Sequence, residues 1–545
     1  MDYQSTNLDH LGLVAAMFDE LEIGQQIDQA IVQDTDERIV TIGQAVKAMV
    51  LNGLGFVNQR LYLVPFFFES KPTEHLLGPG ILPEHLNDDT LGRALDALYD
   101  YGVTALFRTI AAHAGLRLGL RARFGHTDST SFHLHGQYNS DEEAPEEGVI
   151  HIRQGYSRDH RPELNQVVLA MMVEQRSGLP LLMQPLSGNA SDQAELPRLV
   201  EGHLRQLQMA HGVDYVVADC ALYGGEHIRA LDEQHVKFIT RVPETIKEAQ
   251  QLLATLDLAT LKPFAGSDGA RVEGYRFTEC RSHYGGVAQR WVVFHSEAAQ
   301  DRAHKRAQKQ LGRWREQEEK ALAQLTKQRF SCRADAEAAL ARLTATLKAT
   351  TAEAVEVLAC EHYNWAEGQV DAGRAAYCLR GVLTASEALY AELVARGSLF
   401  IITTNELDEA ALSAGGLLQA YKGQASVERG FRFLKDPLFL ASSLFLRNEK
   451  RIMALLMVMT LCLLVYAALE WRIRGALQQE GQSFPDQKGK PTQRPTARWV
   501  FQCFVGIHLL KVAQQQLVLN LHERHQIILN VMGSRYQRFY TSPPT

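Results

Sequence analysis

The sequence has no pair of closely spaced cysteines. Its seven cysteines are scattered, and no two of them form a C-x-x-C motif. This distribution argues against a cysteine-ligated zinc site and against a disulfide scaffold, and it is typical of a reducing cytoplasm. The first residues, MDYQSTNLDHLG, contain neither a basic segment nor an apolar one. We therefore expect no secretory signal peptide and a cytoplasmic protein.

One uncharged run is long enough to cross a membrane. It covers the 18 residues 452–469, IMALLMVMTLCLLVYAAL, with arginines and lysines on both sides. Length alone permits a membrane span, but a helix buried beneath a sheet is apolar on every side for the same reason. We favour the buried helix, since a lone span would interrupt an otherwise ordinary composition, and we expect no membrane partner.

Net charge is −7 and is unevenly distributed along the 545 residues. Residues 1–100 carry 5 Lys/Arg and 16 Asp/Glu, a net of −11, whereas residues 421–545 carry 17 and 7, a net of +10. A polyanion such as DNA is attracted to the second segment and repelled on average by the first. A chain of this length is expected to form about three domains.

Periodicity predicts an α/β fold with an N-terminal helical domain and an inserted α+β subdomain. Residues 1–120 repeat apolar positions at intervals of three and four, which indicates helices; this module could bind DNA, mediate dimerisation or be structural. Residues 121–242 alternate strands and helices, and the pattern resumes over 398–475. Between them, 243–397 is predicted to be an inserted α+β subdomain. Residues 476–545 are predicted to form a basic linker and one final helix, at about 500–530.

Three acidic residues occupy positions that could hold a metal ion. Asp128 lies in a strand-like segment, Asp219 directly follows the apolar segment YVVA, and Glu428 lies in a late helical segment. Carboxyl ends of strands in an open α/β sheet are where sites assemble, although a lone Asp at a strand end is commonly a turn or cap residue. Carboxylates suit Mg²⁺, and two such ions can activate a phosphodiester. The pattern suggests metal-dependent chemistry on a nucleic acid.

A heptad spacing supports the third acid. Tyr421, Glu428 and Lys435 are each seven residues apart, so on one helix they would share a face, with Gln424 and Arg432 near it. That face could present a carboxylate to metal and cations to phosphate. The alternative is an ordinary ion pair between Glu428 and Arg432 on a solvated face.

Histidines flank the first acid, at 126, 133 and 135. His133 and His135 could bind zinc together, but no third ligand is evident, so we favour packing or DNA contact. Cys220 is expected to be a small buried side chain.

Several motifs together resemble the DDE transposases of bacterial insertion sequences, in the subgroup with a large insertion before the Glu. Asp219 and Glu428 are 209 residues apart, and the Tyr-x6-Glu-x6-Lys spacing is that of the family. The resemblance runs over about residues 120–510, and its motifs are GHTDSTSFHLHG, GYSRDHRPEL followed by Gln166, SGNASD, VVADCALYG and ASVERGFRFLKDP.

This resemblance implies a ribonuclease H-like mixed sheet flanked by helices, with Asp128, Asp219 and Glu428 as ligands of two Mg²⁺ ions, for which Mn²⁺ could substitute. Tyr421 and Lys435 would contact DNA phosphates. The family has an Arg three residues after the Tyr, where this chain has Gln424, so Arg429 or Arg432 would replace that cation.

The implied function is cleavage at insertion-sequence ends and strand transfer into target DNA. The implied partners are double-stranded DNA and, in the DNA complex, a second copy of the chain, in a bacterial cytoplasm at the nucleoid. Two alternatives remain open: a DNA-binding protein that does not cut, and a metal-dependent nuclease without strand transfer. Further DNA contacts are expected from basic residues that could equally lie in a solvated loop or linker, namely Arg153, Arg158, Arg161, Lys488, Lys490, Arg494 and Arg498.

Overall fold

The computed structural model describes residues 3–541 except 34–37, 57–60, 135–137, 139–147, 158–160, 266–270, 365–368, 437–438, 440–445, 447 and 513–514. Helices are concentrated towards the two ends of the chain, and a mixed sheet lies between them.

The first 117 residues are mainly helical, as their apolar spacing predicts. The elements are β1 (Tyr3–Asn7), α1 (Leu11–Glu20), α2 (Ile23–Ala30), α3 (Ile42–Leu54), α4 (Val64–Glu69), α5 (Thr73–Leu77), α6 (Asp88–Tyr101) and α7 (Val103–Arg117). Helix α3 begins at a capping box: Thr41 Oγ1 accepts from the Gln44 amide at 3.1 Å, and Gln44 Oε1 accepts from the Thr41 amide at 2.9 Å. Such a box satisfies two backbone donors that a helix start leaves unpaired.

A nine-stranded mixed sheet forms the centre of the molecule. Its strands are β2 (Phe124–Leu134), β3 (Asn165–Glu174), β4 (Pro180–Leu186), β5 (Tyr215–Val217), β6 (Lys237–Arg241), β7 (Lys262–Ala265), β8 (Arg271–Ser282), β9 (Gln289–Ser296) and β14 (Leu399–Thr404). They lie in the order β4-β3-β2-β5-β6-β14-β9-β8-β7. Strands β2, β5 and β6 are parallel, and the other neighbouring pairs are antiparallel. A meander that leads into parallel strands is the arrangement expected of a ribonuclease H-like core, and the predicted α/β class is confirmed.

The segment 243–397 contributes both to this sheet and to a separate small cluster. Strands β7, β8 and β9 extend the central sheet, because β9 pairs with β14. The rest of the segment comprises α10 (Lys247–Thr255), α11 (Glu297–Leu325), α12 (Arg333–Thr346), β10 (Thr350–Thr351), β11 (Val355–Asn364), β12 (Gln369–Gly381), β13 (Thr384–Ala385) and α13 (Glu387–Gly397). Leu322, Val355 and Leu379 form a core of their own there. The boundaries of the predicted insertion remain a prediction.

Helices cover both faces of the central sheet. They are α8 (Asp192–His211), α9 (Gly225–Glu233), α14 (Ala414–Lys422), α15 (Ala425–Leu434) and α16 (Glu449–Gln479). Alternate side chains of each central strand face opposite sides. Val217 and Ile239 share a cluster with Leu417 of α14, whereas Val216 and Phe238 belong to the larger core.

Helix α16 contains the uncharged run and is the one described helix long and apolar enough to cross a membrane. Its most apolar window is 94% buried inside the protein. It packs against α1, α3, α6 and β4. This burial supports the interpretation as a core helix, because its neighbours cover it on every side.

The end of the chain differs from the predicted linker and single helix. It forms β15 (Phe484–Pro485), β16 (Pro491–Thr492), α17 (Ala497–Cys503), β17 (His508–Val512), β18 (Gln515–Leu519), α18 (Glu523–Met532) and α19 (Ser534–Gln537). The prediction of one helix at about 500–530 was wrong, because the helix is interrupted at Gly506 and Asn520. Their φ angles of 89° and 65° are left-handed, a conformation that ends a helix. Between them β17 pairs with both β18 and β1, so the last segment packs against the first.

Candidate active site

Two of the predicted acids lie at one level of adjacent parallel strands. His126 of β2 is in register with Val217 of β5. Asp128 and Asp219 each lie two residues further on from this register pair, so they stand side by side. Neighbouring strands are about 4.8 Å apart. Asp128 is half-buried in an otherwise buried stretch of β2, and Asp219 is half-buried at the end of β5. Both therefore lie at the surface of the central sheet.

Packing of α15 along β2 places the third acid at the same level. A Cβ on Gly423, before α15, would lie 2.9 Å from His126 Cε1, and Lys435 Nζ, at the other end, lies 5.9 Å from the centre of the Phe132 ring. Glu428 is five residues beyond Gly423, or about 7.5 Å at 1.5 Å per residue. Along β2 this rise corresponds to about two residues, which is the step from His126 to Asp128.

A second contact agrees with this alignment. Gly430, two residues after Glu428, faces β3, and its added Cβ would lie 3.8 Å from Met171 Cε. Met171 is the register partner of Asp128. Two separate contacts therefore bring this part of α15 to the level of Asp128.

The charges of the second and third acids both act on Tyr421. Burial raises the pKa of its hydroxyl, the charge of Arg241 lowers it, and the charges of Asp219 and Glu428 raise it, with a net increase. The hydroxyl is therefore protonated at neutral pH, and the charges of both carboxylates contribute to this.

The donor chemistry of the site fits a hard divalent cation, although the side chains do not enclose one. No three His, Cys, Asp or Glu side chains within the described ranges are close enough together to hold a metal ion. Asp128 Oδ1 accepts from the Ser129 amide at 2.7 Å, and Asp219 Oδ1 accepts from the Ala221 amide at 2.9 Å. Mg²⁺ commonly uses one or two carboxylates, with water and substrate phosphate completing the shell. The adjacent pair Asp128 and Asp219 matches that requirement.

The heptad residues lie on two helices, not one. Tyr421 belongs to α14, Glu428 to α15, and Lys435 ends α15. Gly423 and Gln424 join the helices and keep right-handed helical angles, so the spacing is largely preserved. Gln424 is half-buried, whereas the cations Arg429 and Arg432 are exposed.

The predicted DNA-binding residues of the C-terminal segment differ in their surroundings. Lys488, Lys490 and Arg494 are exposed, near the turn between β15 and β16. Arg498 forms an ion pair with Asp436, and its guanidinium lies 5.0 Å from the Phe56 ring centre. Arg498 thus joins α17 to the end of α15, a structural role that charge counting did not reveal.

Two of the motifs that resemble the family, GYSRDHRPEL with its glutamine and SGNASD, meet beside the end of β2. Gln166 Nε2 donates to Gly188 O at 2.6 Å and to Tyr156 O at 3.2 Å, and Ser157 Oγ is hydrogen-bonded to His133 Nε2 at 3.3 Å. These contacts give His133 a structural partner.

The remaining predicted residues near these motifs have varied outcomes. Arg161 is exposed and paired with Glu163, and Arg153 is half-buried. Arg158 and His135 lie outside the described residues. Cys220 is exposed, so the expectation of a buried side chain was wrong, because the turn after Asp219 lies at the surface.

Arg241 is a nearby cation that the sequence interpretation missed. It is half-buried at the carboxyl end of β6, adjacent to the strand that carries Asp219, and its charge reaches both Tyr421 and Cys220. Its position at the end of the strand-like segment VKFIT was the available signal, since strand ends of this kind assemble sites.

Comparisons with known proteins identify most of the chain. Residues 121–465 match the family described as Transposase DDE domain, and residues 3–112 match a Domain of unknown function (DUF4277). A cryo-EM structure of a piggyBac transposase synaptic complex with hairpin DNA is similar at a TM-score of 0.37 and 9% identity, covering 92% of this chain and 82% of that chain. No curated protein matches.

Proposed function

Because the chain belongs to the DDE transposase family, we propose that it cleaves DNA at the ends of an insertion sequence and joins them to target DNA. The proposal is supported by the neighbouring positions of Asp128 and Asp219, two residues beyond a register pair of β2 and β5, and by the contacts that pack the helix of Glu428 along β2. We propose that it acts in the bacterial cytoplasm, at the nucleoid, with two copies holding two ends.

The three carboxylates are proposed to hold two Mg²⁺ ions, for which Mn²⁺ could substitute. Such ions, when bound, lower the pKa of an attacking water or 3′-hydroxyl and stabilise the leaving oxygen. Asp128 lies on β2 and Asp219 just beyond the neighbouring β5, whereas Glu428 lies on the helix α15, which packs along β2. This division between sheet and helix makes the geometry sensitive to how closely α15 packs on β2.

The surrounding side chains supply positioning and charge. Tyr421 keeps its proton and can donate a hydrogen bond to a phosphate oxygen. Arg241, Arg429 and Arg432 can offset phosphate charge, with Lys435 at the far end of α15. In-line phosphoryl transfer depends mainly on such positioning and electrostatic stabilisation.

The test is cleavage of a plasmid that carries the chain's coding sequence with its native flanking DNA, in Mg²⁺ or Mn²⁺. We compare wild type with Asp219→Asn and Glu428→Gln, which keep side-chain size but remove a charge. Glu523→Gln, an exposed glutamate in the first turn of α18, is the matched control. We expect a loss of at least a hundredfold in cleavage for the two site variants, on the scale of essential transition-state contacts, and none for the control.

The outcomes separate the proposal from its alternatives. Cleavage without joining to a second plasmid would indicate a nuclease that does not transfer strands. Specific binding of the flanking DNA without cleavage by wild type would indicate a DNA-binding protein that does not cut. Equal cleavage by Glu428→Gln and wild type would remove Glu428 from the site.

A further inference from the structure

Helix α11 carries an uncompensated row of positive charge far from the three acids in sequence. Five exposed cations make up this row, which we call the basic face of α11: Arg302, Lys305, Arg306, Lys309 and Arg313. Residues 302–315 contain no Asp or Glu. None of the five cations forms an ion pair with a residue that the structure describes.

The five cations share one side of the helix, opposite its buried side. At 100° per residue they fall within an arc of about 100°. The buried residues Ala303 and Ala307 lie outside that arc, and Ala303 packs so closely on α13 that a Cβ on Gly397 would be 2.7 Å from it. The basic face therefore points to solvent.

After Arg313 the cations of the same helix form ion pairs with glutamates. Arg315 pairs with Glu319 at 2.7 Å, and Lys320 pairs with Glu316 at 2.6 Å, both at i,i+4 spacing. That pattern stabilises a solvated helix by a few tenths of a kcal/mol per pair. The basic face instead places like charges at i,i+3 and i,i+4, which is unfavourable in the free protein. Solubility alone would not require the basic face, because its like charges repel one another in the free protein.

The start of the basic face is linked to the helix of Tyr421 through Lys422 and Tyr275. Lys422, adjacent to Tyr421 in α14, has its Nζ 4.0 Å from the centre of the Tyr275 ring. Burial raises the pKa of Tyr275, yet Lys422 and the charge of Arg302 lower it below its usual value. Lys422 therefore contacts this ring and the charge of Arg302 also acts on it, so positive charge is present on both α14 and the start of α11.

We propose that the basic face of α11 binds the phosphate backbone of double-stranded DNA that extends from the active site. The inference rests on the proposed function. From Arg302 to Arg313 the face is about 16 Å long, which matches about five base pairs of duplex. Lys and Arg side chains that contact phosphates carry no sequence information directly, so the contact should hold and orient the DNA without reading bases.

The test measures DNA affinity against salt concentration. The substituted protein carries Arg306→Gln, Lys309→Gln and Arg313→Gln, and the charge-matched control carries Arg315→Gln, Lys320→Gln and Arg333→Gln, three exposed cations that already have glutamate partners. Binding of a duplex of arbitrary sequence is measured in EDTA, so that cleavage is not involved. We expect the slope of log affinity against log salt to fall by about 2 to 3 in the first protein and by less than 1 in the control.

Each result has a defined meaning. Equal slopes for the two substituted proteins would overturn the proposal, since general charge would then explain the binding. An unchanged slope together with an altered sedimentation of the DNA-free protein would assign the face to an acidic surface of a second copy instead. Failure of wild type to bind any duplex would count against the proposed function itself. Circular dichroism is expected to stay unchanged, because the three substitutions remove only like-charge repulsion.

Discussion

The closeness of α15 to β2 can be tested at Gly423. Its backbone angles, φ −59° and ψ −15°, are those of an ordinary helix, so local preference alone favours alanine by about 0.5–1 kcal/mol. A Cβ there would lie 2.7 Å from Gln175 Nε2 and 2.9 Å from His126 Cε1. Glycine is therefore required by packing against the sheet and not by the backbone.

The size of the effect follows from these distances. Carbon atoms pack at about 3.5–4.0 Å, so Gly423→Ala should push the helix junction and β2 apart by roughly 0.6 Å. His126 is fully buried and has little room to yield. Overpacking of this kind costs about 1–3 kcal/mol. Since a 1 Å misplacement can cost about a hundredfold in rate, we expect cleavage to fall roughly tenfold.

Cleavage rate and urea unfolding would be measured together for Gly423→Ala and for Gly475→Ala. Gly475 lies inside α16 with nothing within 4 Å of an added Cβ, so its substitution should be neutral or slightly stabilising. Gln175→Ala in the Gly423→Ala background removes the nearest contacts and should restore part of the activity. Equal behaviour of the two glycine variants would refute the close packing that places Glu428 beside Asp128.

Two further predictions concern stability. Burial lowers the pKa of His211 from 6.5 to about 4, so the unfolded chain binds a proton more readily between those values and stability should fall as pH drops from 6.5 to 4. His211→Gln should reduce that slope by about 1.4 kcal/mol per pH unit, as measured by urea unfolding at several pH values, and parallel curves would contradict it. Arg498→Ala and Asp436→Ala should show a coupling of about 0.5–1 kcal/mol in a double-mutant cycle, and additive effects would mean that the ion pair does not join α17 to α15.

Sequence patterns predicted the local elements around the site but not how they meet. The apolar segments before Asp219 and around Asp128 are strongly strand-forming, so the strands could be predicted from side chains alone. Their register depends on pairing between residues about 90 positions apart. The approach of Glu428 depends on Gly423 and Gly430, whose small size is informative only once the opposing atoms of β2 and β3 are known. For the same reason the sequence placed β7, β8 and β9 in an inserted subdomain, and their union with the central sheet was not predicted.

The fold brings the oppositely charged segments of the chain together. Cations of the basic C-terminal quarter pair with carboxylates of the acidic first hundred residues, in the pairs Arg451–Asp96, Arg472–Glu20 and Arg538–Asp19. The opposite charges of the two segments thus partly neutralise each other where the chain ends pack together. A net charge of +10 along residues 421–545 therefore overstates what that segment offers to DNA. Phosphate should bind instead where cations lack carboxylate partners, and the basic face of α11 meets that condition although it lies outside both segments.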